Sequence, residues 1–112
     1  MTALISDHVK YDLRSREMHR LIANKIRNQP ALFQIAIDNV ERWKELSSGH
    51  VPFYLEEWRK ILGHGMEFAL SFVTESSPEA DRLRQSTPFA GVLSPKERWE
   101  FLRKWKESTL ST

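Results

Sequence analysis

Apolar residues recur every three or four positions along most of this chain, and nowhere do they alternate, so the pattern is that of helices without strands. From about Tyr11 to Arg27, Met18, Leu21, Ile22 and Ile26 share one helical side, while Arg16, Arg20, Asn24 and Arg27 form a separate polar stripe. Asn28-Gln29-Pro30 interrupts the period, because proline cannot continue a helix but suits the first turn of the next. The second helix then carries a wide apolar face of Leu32, Phe33, Ala36, Ile37, Val40 and Trp43, broadened by Ile35. Ser47-Ser48-Gly49-His50 ends it. Pro52 opens a third helix near Phe53, with Tyr54, Trp58, Ile61 and Leu62 facing inward.

After the break Gly63-His64-Gly65, a short segment has Met66, Ala69, Leu70 and Val73 on one stripe and Phe68 and Phe72 on a second, which predicts burial on two sides. Ser77, Pro78, Glu79 and Asp81 make a helix start, giving a fifth helix over about Pro78 to Ser86. A sixth runs from Pro95 to about Glu107, with Trp99, Leu102 and Trp105 inward and Phe101 beside them. Residues 1–10 show no period and are expected to be loose, and 108–112 to form a tail. The expected architecture is therefore all-α: one compact bundle of five or six helices over residues 11–107, with an apolar loop before the C-terminal helix.

That loop is unusual in kind. A connection normally faces water, which satisfies its backbone, yet Phe89, Ala90, Val92 and Leu93 make this one apolar, so it must pack against something. Thr87 before proline is driven to an extended conformation, and Gly91 permits a left-handed backbone. Ser94 and Glu97 then match a capping box, with Pro95 at the first helical position.

Composition narrows the classes. At 112 residues the chain has room for one core. It has no cysteine, which excludes disulfides, thiol catalysis and cysteine-held metals. No apolar run approaches the roughly 20 residues of a membrane helix, and the N-terminus does not resemble a signal peptide, so a cytoplasmic protein is expected. Residues 1–30 carry six Lys or Arg against three acids, 31–77 four against seven, and 78–112 seven against five, giving +3, −3 and +2. Nucleic-acid binders concentrate more positive charge than this, which favours a protein partner.

No catalytic set, metal site or cofactor motif is expected. His8, His19, His50 and His64 are scattered without the four-residue spacing that pairs two imidazoles on a helix face, and Gly63-His64-Gly65 has neither the strand nor the lysine of a phosphate loop. Arg16 and Arg20 are candidate anchors for an acidic partner surface. Arg84 and Gln85 beside the loop have two compatible roles. With Arg82 they can donate to loop carbonyls, and with Phe89 as an apolar knob they can form a recognition surface. The four tryptophans read as core by their spacing, and any that reaches the surface would be an interface anchor.

The run Leu83-Arg84-Gln85-Ser86-Thr87-Pro88-Phe89-Ala90-Gly91-Val92-Leu93-Ser94-Pro95, followed by Arg98-Trp99 and preceded far upstream by Met18-His19-Arg20, resembles a family of small bacterial antitoxin-like proteins encoded beside toxin-like genes. The likeness spans about Asp12 to Trp105. It implies a cognate toxin-like enzyme as partner, neutralised by steric blocking. The chain departs from the commonest antitoxin layout in lacking a separate ribbon or helix-turn-helix segment for DNA. Two alternatives stand beside this expectation: a nucleic-acid-binding regulator using the basic face of the first helix, and a small enzyme or enzyme subunit built around His19, His64 or Glu67.

Overall fold

The computed structural model describes residues 7–110. They form six α-helices and no strand: α1 Asp7–Asn28, α2 Phe33–Leu46, α3 Phe53–Gly63, α4 Met66–Val73, α5 Pro78–Arg84 and α6 Pro95–Leu110, with a 3-10 turn at Pro30–Leu32 leading into α2. The helical bundle expected from the periodicity is the observed fold.

Pairing follows the apolar stripes. α2 packs on α3, α3 on α4, and α4 and α5 close against α1. The core draws Ile22, Ala23 and Ile26 from α1, Ala36 and Val40 from α2, Trp58 and Leu62 from α3, Ala69, Leu70 and Val73 from α4, and Leu83 from α5. Trp58 is wholly buried and meets Phe72 and Phe89 edge-on, at 6.0 and 6.1 Å between ring centroids. Its indole Nε1 has no hydrogen-bond partner. The aromatic packing it makes outweighs that orphaned donor.

Besides α6, four boundaries or faces differ from expectation. Residues 7–10, expected to be loose, belong to α1, whose first turn holds Asp7 at the positive end of the helix dipole and pairs His8 with Asp12 at 3.5 Å; residues 1–6 lie outside the described residues. α5 stops at Arg84, short of Ser86: Gln85 and Ser86 form a turn, their N–H groups donating to the Arg82 and Leu83 carbonyls at 3.3 and 3.0 Å, and Pro88 then bars a helical conformation at Thr87. α4 buries one stripe only: Phe68 is exposed and Phe72 half-buried. In α3 it is Leu55 that is buried, while Tyr54 is partly exposed.

The largest difference is α6. Trp99, expected inside, is 62% exposed, and Phe101, Leu102 and Trp105 are half-buried. None of the described side chains of this helix is buried. Its start is as expected, since Glu97 N–H donates to Ser94 Oγ at 3.1 Å and Ser94 N–H to Glu97 Oε1 at 2.8 Å. From there it runs antiparallel to α1, with Lys25 bonded to Glu97 at one end and Tyr11 and Arg14 beside Trp105 at the other.

Candidate functional site: the groove between α1, α6 and the 87–95 loop

The loop is indeed interior. Pro88, Phe89, Val92 and Leu93 are buried, and only Ala90 and Gly91 reach the surface. Gly91 adopts φ +95, a left-handed backbone that a β-carbon would strain.

A buried loop needs partners for its backbone. Asn39, on the apolar side of α2 between Ala36 and Val40, donates through Nδ2 to the carbonyls of Pro88 (2.8 Å) and Ala90 (3.0 Å). Arg42 in turn donates to Asn39 Oδ1 at 2.8 Å, which fixes the amide's orientation. Lys25 donates to the Val92 carbonyl (2.8 Å) and to Glu97 Oε1 (2.6 Å), tying loop, α1 and α6 together. With the backbone N–H of Ser94 as a second donor, this holds the Glu97 carboxyl down at about 2.

On the opposite side, His19 of α1 is 3% exposed. Its Nδ1 lies 2.7 Å from the Ser15 carbonyl and its Nε2 2.8 Å from Thr87 Oγ1. A carbonyl can only accept, so Nδ1 carries the proton and Nε2 accepts from the threonine hydroxyl. Thr87 Oγ1 meanwhile accepts from Phe89 N–H at 3.2 Å. The chain of donors runs in one direction, from loop to helix, and requires a neutral imidazole. Burial lowers the His19 pKa to about 4, with Arg84 lowering it further and the Ser15 carbonyl opposing.

Between this loop, α1 and α6 lies an open groove of about 630 Å³, walled by Met18, Ile22, Leu93, Trp99 and Leu102, with Phe89 in its floor and Arg98 at its edge. Its size is that of a ligand or side-chain pocket, and its walls are apolar. Arg103 lies over the Trp99 ring, 5.5 Å from its centroid, which steadies that side chain while it remains in water.

The five residues expected to bind a partner are dispersed. Phe89 is wholly buried, wedged between Trp58, Phe33 and His19, so it is core and not a knob. Arg84 is also interior. It donates to the carbonyls of Val73 (3.0 Å) and Glu75 (2.8 Å) and pairs with Asp81, so it secures the α4–α5 connection, not the loop or a rim. Burial lowers its pKa, against the pull of Asp81. Arg16 is half-buried, and its Nε has no partner. Arg20 is exposed and paired with Glu17 at 2.6 Å, and Gln85 is exposed. Arg82, expected to serve the loop, pairs with Glu57. Of the five, only Phe89 borders the groove.

The residues that build the site carried partial signals. Asn39 interrupts an apolar stripe and His19 continues one, marks of polar groups with an interior task. Nothing in the spacing of Trp99 and Leu102 distinguishes a stripe that meets the core from one left open.

The groove holds His19 but neither His64 nor Glu67; the His64 ring lies tilted beside Phe68, 4.8 Å between centroids, and Glu67 accepts from Arg27 at 3.3 Å. Among the described residues, no group of three or more His, Asp or Glu is placed to hold a metal ion, and no helix is long and apolar enough to cross a membrane. No family model, curated protein or solved structure matches the chain.

Proposed function

We propose that the protein is a protein-binding module that receives an apolar segment of a partner polypeptide in the groove between α1, α6 and the 87–95 loop. The observation that carries this reading is Trp99. It stands 62% exposed above an apolar groove on a helix with no buried side chain among those described. Tryptophan is the residue most enriched among interface anchors, and covering the exposed part of its ring is worth about 3 kcal/mol. A helix of this length is marginal in water by its own propensity, and a partner on its open face would complete its packing.

Charge pairing supports a protein partner over nucleic acid. On the basic side of α1, Arg20 is held by Glu17, Lys25 by Glu97 and Arg27 by Glu67, so these cations are already neutralised within the chain. The resemblance of the Leu83–Pro95 run to antitoxin-like proteins makes a toxin-like enzyme the first partner to examine, blocked sterically when the module covers its active site.

The test is calorimetric titration of the purified chain with the product of the neighbouring gene. Binding lost in Trp99→Ala and Leu102→Ala, and retained in Phe53→Ala at an exposed site outside the groove, fits the proposal. Equal binding by all four proteins refutes it.

A further inference from the structure

We infer that the occupant of the groove is an amphipathic helix of a different polypeptide, seated on Trp99 and Leu102 by its apolar face and on the Arg98 guanidinium by an Asp or Glu carboxylate. This rests on the reading of the groove as a partner-binding surface and adds the chemistry of what fills it.

Two charged or titratable side chains line the groove, His19 and Arg98. His19 is neutral, buried and engaged at both ring nitrogens. Arg98 is exposed, and its guanidinium has no ion pair or hydrogen bond among the described residues. The neighbouring cations differ: Lys25 is bonded to Glu97, and Arg103 to Glu107 at 2.9 Å while it covers Trp99. A free guanidinium fork at the edge of an apolar trough is the complement of a carboxylate beside apolar anchors, because that pair can form two parallel charge-assisted bonds while its surroundings lose water.

The shape of the walls selects a helix. α1 and α6 run antiparallel with the loop beneath them, so a third rod laid between them presents anchors one turn apart to Trp99 and Leu102, which are themselves one turn apart. Charge argues against a second copy of this chain. α6 carries five cations, Lys96, Arg98, Arg103, Lys104 and Lys106, against three acids, Glu97, Glu100 and Glu107, and Glu97 is already bonded to Lys25 of α1. Facing copies would set like charges together.

The inference is tested by selecting a displayed library of random peptides of about 15 residues, roughly four helical turns, on the full chain, on Arg98→Gln and on Trp99→Ala. Peptides taken from the native chain are expected to carry apolar residues three or four apart with an Asp or Glu in the adjoining turn. For one such peptide, Arg98→Gln in the protein or Glu→Gln in the peptide each weakens binding about tenfold, and the two together weaken it no further. Apolar peptides selected without an acid, or an acid preference that survives Arg98→Gln, overturn the carboxylate anchor and leave the groove as a binding surface. A selection yielding nothing that depends on Trp99 overturns both. Sedimentation showing a dimer that Trp99→Ala dissolves assigns the groove to a second copy and also overturns the inference.

Discussion

Thr87 donates its hydroxyl to His19 Nε2 across 2.8 Å, so the first residue of the buried loop is bonded to a helix that lies 68 positions earlier in the chain. The bond needs a neutral imidazole, and burial supplies one by lowering the His19 pKa from 6.5 to about 4. Between these values the unfolded chain binds a proton that the folded chain does not. The contribution of His19 is therefore complete above pH 6.5 and is lost as pH falls toward 4, a loss of about 3 kcal/mol. Urea midpoints measured from pH 7.5 to 4.5 are expected to fall in the native protein and to change much less in His19→Gln. Parallel curves for the two proteins would remove His19 as the cause. The Glu97 carboxyl, held at about 2, acts in a lower window, stabilising above its usual value of 4.5 and failing as pH falls to 2.

Asn39 supplies both donors that the Pro88 and Ala90 carbonyls use. Replacing it by Leu keeps the volume and leaves two acceptors without partners, which costs about 2–4 kcal/mol. Chemical denaturation measures this directly, and a loss below 1 kcal/mol would mean that water replaces the amide.

Phe89 and Trp99 are aromatic residues ten positions apart with opposite exposures, 0% and 62%. Phe89→Ala empties the centre of the core and is expected to lower stability by about 3–5 kcal/mol. Trp99→Ala should change stability by less than about 1 kcal/mol while abolishing partner binding. Thermal melts and titration on the same preparations separate the two effects.

Lys25 holds Val92 and Glu97 together. Lys25→Met removes both bonds, and amide hydrogen exchange in α6 is expected to quicken while α2 and α3 keep their protection, with a global loss of about 1 kcal/mol. Unchanged exchange in α6 would show that its side chains, not this lysine, fix it.

Much of the fold is legible in the pattern of apolar residues. Three-to-four spacing places every helix, Pro30, Pro78 and Pro95 mark starts, and the Ser94–Glu97 box is recovered atom for atom. The partner-facing residues are not legible in the same way, for two physical reasons. First, long cationic side chains can turn inward when carbonyls or carboxylates receive them, so Arg84 is interior although its sequence neighbourhood is polar. Second, an apolar stripe has the same spacing whether the surface opposite it belongs to this chain or to another. Ala36 and Val40 meet α3, whereas Trp99 and Leu102 look onto open space, and only the three-dimensional arrangement distinguishes them.

The keystone of the hydrophobic interior arrives late. Phe89 packs among His19, Phe33 and Trp58 of α1, α2 and α3 but follows five helices in the chain, and the bonds that seat its loop span 49 to 72 positions. During synthesis the earlier helices must therefore wait with Trp58 uncapped until the 87–95 loop emerges. A chain cut before Thr87 would keep Trp58 uncovered, and it is expected to bind a hydrophobic dye that the full chain does not.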